Sequence, residues 1–500
     1  MMGGQDSNGV TRGQWLALAA ALLGWMFDGL EQGLFPLVGR TALRSLGVPD
    51  EKGVGLWFAV ATAGFLVGAA SGGVLFGWLG DRIGRVRAMT LSVLTYAIFS
   101  ALCGVANGPR LIAFLRFCSA LGMGGEWSLG VALVMEIWPD RSRALLAGLI
   151  GAAANVGFLL CGAVNWGLGQ VLPRMDGWLS ALGLPKLTID FLIADSGWRL
   201  LMFTGAAPAL LTFFIRLFVP ESERWQHENA RGTTSHWATR DLLGVCIGTV
   251  AAGALIYLWA EQIDLVWRLF GTAVALAIVT LGYLYPVFRY LQRAGGGEEG
   301  QAKLRTQTIG RMLMGACLSG VALLGTWASM QWVPTWVDEL TRGAVPNAKT
   351  YAQMCGAIGA IIGTVTAALL GNWLNRRLTY SLLCAGSLGS ALLLFQGNSS
   401  YGPWFLVCAF VAGALTASFY GWLPLYLPEL FRTRVRATSQ GFSYNFGRIL
   451  AAIGVLQTGS LMGLFKGGYP QACSVMSLIY IVGLGIIWLA PETRGTPLPE

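Results

Sequence analysis

Long apolar runs alternate with short polar connections along almost the whole chain. The runs fall near 14–38, 54–78, 88–106, 109–137, 143–168 and 198–219, then 242–261 and 264–291. Six more follow near 308–336, 349–373, 378–396, 402–428, 437–463 and 470–490. Runs of about 20 apolar residues suffice for a helix to cross the roughly 30 Å hydrocarbon layer of a bilayer. The pattern predicts an all-α membrane protein with fourteen crossings. The stretch 166–197 reads as the longest external connection, where Pro173, Pro185 and the apolar segment 178–184 predict a short interfacial helix rather than a crossing. The Gly-Gly-Gly-Glu-Glu-Gly segment at 295–300 reads as a flexible linker.

Composition agrees with a membrane class. Charged residues are 12% and hydrophobic residues 55% of the chain, against roughly 25% charged in soluble domains. The net charge of +9 comes from bases in alternate short connections, among them Arg141 and Arg143, Arg376 and Arg377, and Arg432, Arg434 and Arg436. That distribution is the positive-inside bias, which places these connections and both termini in the cytoplasm. It is not the basic stripe of a nucleic-acid binder. All nine Cys fall inside apolar runs without a Cys-x-x-Cys pair, and the only two His, His227 and His236, share one polar loop. A metal site is therefore not expected, nor a cofactor. No nucleophile–base pair points to an enzyme. The first apolar run is too long for a cleavable signal peptide and has an acidic centre.

The chain repeats itself. Gly77-Trp-Leu-Gly-Asp-Arg-Ile-Gly-Arg-Val-Arg87 joins the second and third runs, and Gly371-Asn-Trp-Leu-Asn-Arg-Arg377 echoes it in the second half, with Asn375 read in the place of Asp81. Glu136-Ile-Trp-Pro-Asp-Arg141 pairs with Pro428-Glu-Leu-Phe-Arg-Thr-Arg434, and Pro220-Glu-Ser-Glu with Pro491-Glu-Thr-Arg. Three paired motifs in one order predict two six-helix halves, 1–220 and 308–500. A linker at 221–307 carries an inserted hairpin of two crossings, at about 242–291. Asp81, Arg82, Arg85, Arg141, Glu429 and Arg434 read as the clasps of a cytoplasmic gate, with the lock strongest in the first half.

Ionisable residues inside apolar runs cost roughly 2.5–3.5 kcal/mol each on insertion scales, so each needs a reason. Asp28 and Glu31 lie mid-run in the first helix, three residues apart and on one face. With Glu126, in Gly122-Met-Gly-Gly-Glu-Trp127, they are the proton-coupling candidates. Each is alternatively a strut that holds the bundle. Arg116 is suited to grip a substrate carboxylate or to neutralise Asp28 or Glu126. Arg448, one turn beyond Asn445 in Tyr444-Asn-Phe-Gly-Arg448, favours an anionic ligand unless a first-half carboxylate pairs with it. Asn155, Gln331, Trp332, Tyr420 and Tyr444, with Trp336 and Trp422, are polar or aromatic candidates for the same cavity.

The 77–87 loop resembles the signature of the major facilitator superfamily. The Phe27-Asp-Gly, Gly122-Met-Gly-Gly-Glu-Trp and Phe442-Ser-Tyr-Asn-Phe-Gly pieces and the extra hairpin look like its sialic acid:proton symporter group. Arg448 is closer to what aromatic-acid and nicotinate symporters carry. The resemblance implies a proton-coupled importer of a small carboxylated metabolite working by alternating access, as a monomer in the lipid bilayer of a bacterial inner membrane. A sialic acid is the first choice of cargo, and an aromatic acid or nicotinate the alternative. A sugar uniporter or exporter, or a transporter-like sensor without flux, stays open.

Overall fold

A computed structural model describes residues 11–208, 211, 215, 218–261, 263–294, 299–464 and 468–499. Residues 295–298 of the Gly/Glu linker and much of 209–217 lie outside the described residues. The chain begins with α1 (Arg12–Ser45), α2 (Glu51–Ile83), α3 (Arg85–Cys103), α4 (Pro109–Ile137), α5 (Arg143–Ala181) and α6 (Lys186–Phe203). A connecting stretch with α7 (Glu223–Ala230) leads to the hairpin α8 (Leu242–Ala260) and α9 (Leu265–Ala294). Then come α10 (Glu299–Trp327), α11 (Val333–Thr341), α12 (Ala348–Trp373), α13 (Arg376–Gln396), α14 (Pro403–Thr416) and α15 (Phe419–Tyr426). The last are α16 (Arg436–Asn445), α17 (Gly447–Leu464), α18 (Tyr469–Ser477) and α19 (Ile479–Ile486).

Among the described residues, eleven helical segments are long and apolar enough to cross a bilayer. The fourteen expected crossings are not all met by that measure. α1 is long enough but carries Asp28, Glu31 and Arg40 in its course, and the stretches at 198–219 and 437–463 are incompletely described. The stretch 166–197 is a correction. α5 runs unbroken through Pro173 to Ala181, and α6 starts at Lys186. Pro173 removes the hydrogen bond to the carbonyl of Gly169, and space is open around Gly169, so the ring is accommodated on an uncrowded face. The irregular part lies later, where Asp195, Ser196 and Gly197 take left-handed φ values of 49°, 64° and 65°.

Glycine lets the helices approach to backbone contact. A Cβ on Gly72 of α2 would fall onto the Leu121 carbonyl of α4, and one on Gly124 of α4 onto the Ala69 carbonyl of α2. The second half repeats the device, with Gly363 of α12 against Ala414 and Gly413 of α14 against Gly356. Small residues serve because, without a solvent-driven hydrophobic term inside lipid, close packing itself must hold the helices. The two bundles meet through α5 against α12 and through α2 against α16 and α17.

The hairpin lies on the second of these seams. α8 packs on α2 and α17 as well as on α9. The Tyr283 hydroxyl, buried on the inner face of α9, hydrogen-bonds Ser71 Oγ of α2 at 2.7 Å. The outer faces, including Leu243, Val250, Val266, Trp267 and Phe270, are exposed and apolar, as expected of a surface that meets lipid chains.

Gly124→Val should cost about 1–3 kcal/mol or more, because the neighbour is backbone and cannot rotate away. The thermal midpoint of the purified protein should fall by several degrees. Gly169→Val, with open space around it, should leave it nearly unchanged.

Candidate functional site

Two buried polar constellations stand out, a clasp at the end carrying the 77–87 loop and a cavity between the bundles. Gly84, at φ +108°, turns the chain from α2 into α3. Arg85 then folds back, and its Nη1 donates to the Gly80 carbonyl at 2.8 Å and to Asp81 at 2.7 Å. Nη2 reaches Glu136 of α4 at 3.2 Å and the Thr433 carbonyl of the other bundle at 2.8 Å. Ser222 Oγ donates to Glu136 at 2.6 Å, and Glu221 accepts the first N–H groups of α3, from Arg85 and Val86, at 2.9 and 3.1 Å.

The second bundle builds the same unit. Arg376 donates to the Gly371 carbonyl at 2.6 Å and to both oxygens of Glu429 at 2.7 and 3.0 Å. Thr493 Oγ1 donates to Glu429 at 2.6 Å, and Glu492 accepts the N–H groups of Arg376 and Arg377 at 3.1 and 3.2 Å. The two Pro-Glu-Ser/Thr motifs are thus caps for the third helix of their own bundle, whose first N–H groups have no intrahelical acceptor. Burial pushes the Glu221 carboxyl above its usual range. At Glu492 burial acts in the same direction, but the backbone N–H bonds outweigh it and hold the carboxyl below its usual range.

This correspondence corrects the register of the echo. Arg85 matches Arg376 and Gly80 matches Gly371, so Asp81 matches Asn372, three residues before Asn375. Asn375 takes the place of Gly84 and caps α13, accepting from Leu378 N at 2.7 Å. The gapped likeness of the two loops hid this, because only the hydrogen bonds fix which residues are equivalent.

The two units differ in what they hold. Asp81 accepts from the N–H groups of Ala437 and Thr438, at 3.3 and 2.9 Å, and from Thr438 Oγ1 at 2.6 Å. It is a negative charge set on the N-terminus of α16, across the seam. Arg436 of α16 in turn pairs with Glu136 at 2.9 Å. Asn372 is exposed. Among the expected gate residues, Asp81 and Arg85 join the clasp directly, and Glu429 sits in the second unit with Arg143 of the first bundle nearby. Arg82 is turned outward, donating to Thr239 at 2.7 Å. Arg141 is exposed, and Arg434 lies near Tyr290 of α9. Neither forms an ion pair among the described residues. Glu136 and Arg436 take the places expected for them, because they are buried where the two bundles meet.

The cavity, about 170 Å³, is lined from both bundles. Of the expected residues, Asp28, Asn155, Gln331, Tyr420, Tyr444 and Arg448 border it. Glu126 lies behind Asp28, within hydrogen-bonding reach of it. The Tyr96 hydroxyl is also within reach of Glu126, while Asp28 Oδ1 has no partner among the described residues. Arg448 is buried, acts on the Asp28 charge, and has neither a partner for Nε nor for Nη1. Its guanidinium stands 5.6 Å from the Tyr444 ring, and Tyr444 stacks on Trp127 of α4 at 3.7 Å and 4°.

Other candidates are placed elsewhere. Glu31 and Asp28 share a helix face but not a pocket, since three residues leave about 60° between them. Glu31 turns into the first bundle, toward Arg116 at 3.3 Å and the Ser100 and Ser119 hydroxyls at 2.5 and 3.4 Å. Arg116 is sandwiched between Phe35 and Phe65, 4.4 Å from each ring, and is absent from the cavity wall. Trp332 packs between Phe58 and Tyr469, Trp336 between Phe395 and Phe405, and Trp422 against Tyr380 and Tyr426. Asn445 is a strut, its amide donating to the Gly124 and Gly441 carbonyls at 3.1 Å. Gln32, Gln353 and Trp327 line the cavity without having been singled out. Gln32 lies four residues beyond Asp28, the spacing that puts it on the same face.

A sequence profile described as "Sugar (and other) transporter" matches residues 41–255. The solved structure of a proton:xylose symporter, XylE, superposes with a TM-score of 0.67 over 97% of this chain and 98% of that one, at 18% identity. The chain has the all-α fold of that symporter structure. With eleven helical segments long and apolar enough to cross a bilayer among the described residues, it is a multi-pass membrane protein. Relatives of similar length include a niacin transporter of Acinetobacter baylyi, 25% identical over 95% of this chain and 93% of its own. A cis,cis-muconate transport protein of the same species is 25% identical over 83% of each.

Asp81→Asn should loosen the clasp. It removes the charge facing α16 while Arg85 keeps Glu136. Accessibility of a cysteine placed in the cavity to a reagent added from the clasp side should rise at least about tenfold, on the order of 1.4 kcal/mol. Asn372→Asp should leave it unchanged.

Proposed function

We propose that the protein is a proton-coupled symporter importing a small carboxylated metabolite by alternating access, with an aromatic or similarly planar acid as cargo. The observation that carries this reading is Arg448. It is a buried guanidinium in the central cavity with two unpartnered nitrogens, acting on the charge of the buried Asp28–Glu126 pair. A buried charge without a full set of partners is expensive, so its place at a cavity wall is best explained by a ligand that completes it. The niacin and muconate relatives favour the metabolite-acid alternative over a sialic acid, as do the Trp127, Trp327 and Tyr444 rings in the cavity.

Arg448 is contested. With Asp28 ionised, the guanidinium is satisfied by that carboxylate and the cavity is neutral. A proton on the Asp28–Glu126 pair releases Arg448, and a substrate carboxylate replaces the lost charge. Proton and anion then bind together or not at all, which is the requirement for symport. Glu31 and Arg116 hold the first bundle together one step away. The clasp of Asp81, Arg85, Glu136 and Arg436 closes the cytoplasmic side while the cavity loads. Release follows when the halves, 1–220 and 308–500, rock about the seam. We assign fourteen crossings to the chain, the eleven apolar segments with α1, 198–219 and 437–463. The cytoplasm lies at the clasp and at both termini, in a bacterial inner membrane, and one copy forms the whole path.

Arg448→Gln should weaken anion binding by at least about 2 kcal/mol, some thirtyfold, with partial rescue by Arg448→Lys. Asp28→Asn should abolish accumulation driven by a proton gradient while substrate exchange across the membrane persists. Proteoliposome uptake with and without an imposed pH difference separates the two. Undiminished uphill uptake by Asp28→Asn would remove the coupling role.

A further inference from the structure

We infer that the cavity admits one carboxylate and rejects a second, because Arg448 is the one cation lining it among the described residues. The inference rests on the organic-anion reading above and narrows its substrate class. Among the described residues lining the cavity, Arg448 is the only base and Asp28 the only acid. With Asp28 protonated, a bound monocarboxylate leaves the cavity neutral. A dicarboxylate leaves one net negative charge in a low-dielectric interior, where it has no counter-ion.

The neighbouring amides offer that charge dipoles but no counter-charge. Asn155 Nδ2 donates to the Gly151 carbonyl at 2.9 Å, and Gln353 Nε2 to the Phe158 carbonyl at 3.4 Å. A carbonyl only accepts, so in each case one amide N–H is committed to the backbone, and the oxygen and the second N–H are left over. Asn155 and Phe158 are neighbours on one face of α5, and the Gln353 bond ties α12 to that face. Each amide therefore keeps one acceptor and one donor for a ligand whose carboxylate is held at Arg448. A second carboxylate meets neutral groups and no counter-charge.

Four ring compounds of one shape test this by ligand-induced thermal stabilisation of the purified full-length protein at neutral pH. They are benzoate, terephthalate, 4-nitrobenzoate and benzamide. The nitro group has the size of the second carboxylate without its charge, so it isolates charge from bulk. Benzoate and 4-nitrobenzoate should half-saturate at concentrations at least tenfold below terephthalate. Gln353→Lys, which supplies the missing cation, should narrow or reverse that ratio. Equal half-saturation by benzoate and terephthalate in the unmodified protein would overturn the inference while leaving the organic-anion reading intact. So would a 4-nitrobenzoate response as weak as that of terephthalate, since bulk would then explain the exclusion. If benzamide matches benzoate and Arg448→Gln changes neither, the organic-anion reading itself fails, and the selectivity falls with it. The comparison in the unmodified protein decides even where the Lys variant does not fold.

Discussion

A charge inside a bilayer must be paired or solvated, and nearly every feature of this membrane protein follows from how that requirement is met. Glu31 is met by Arg116 and two serine hydroxyls. Glu136 is met by two arginines and a serine, and Glu429 by Arg376 and Thr493. These clusters are structural, since each group's hydrogen-bonding capacity is largely used within the protein. Arg448 and the Asp28–Glu126 pair are different. They face each other across a cavity with donors and acceptors left over, so their charge can be rearranged by a proton or an anion without dismantling the bundle.

The internal repeat supplies a scaffold and then breaks its own symmetry. Both bundles use an arginine folded onto a glycine carbonyl, a glutamate from the fourth helix of the unit, and a Pro-Glu cap. Only the first adds an acid that crosses the seam. Asp81 sits on the N-terminus of α16, whereas its counterpart Asn372 faces outward. Closure at this end therefore depends on a charge against a helix terminus, a contact that is lost over a short separation. The hairpin lies over the same seam, fixed to α2 through Tyr283 and Ser71, so movement of α2 against α17 must carry it or slide beneath it.

The sequence by itself determined the class of the molecule. Apolar run length set the helices, the sparse charges set the membrane, and the repeated motifs set two related bundles, because each of these is a local property of consecutive residues. It also picked out Asp28, Glu126 and Arg448, since an ionisable group in an apolar run is conspicuous wherever it ends up. Tertiary structure decided what those groups face. Asp28 and Glu31 look alike in sequence, yet 60° of helix rotation sends one to the cavity and the other to Arg116. Arg116 and Arg448 look alike too, and only packing shows that the first is enclosed by Phe35 and Phe65 and the second open to a ligand. The register of the loop echo, the continuation of α5 past Pro173 and the choice of Arg436 over Arg434 were likewise settled by contacts between distant segments. Partnering in a low-dielectric interior is a long-range property, and the order of residues along a chain does not carry it.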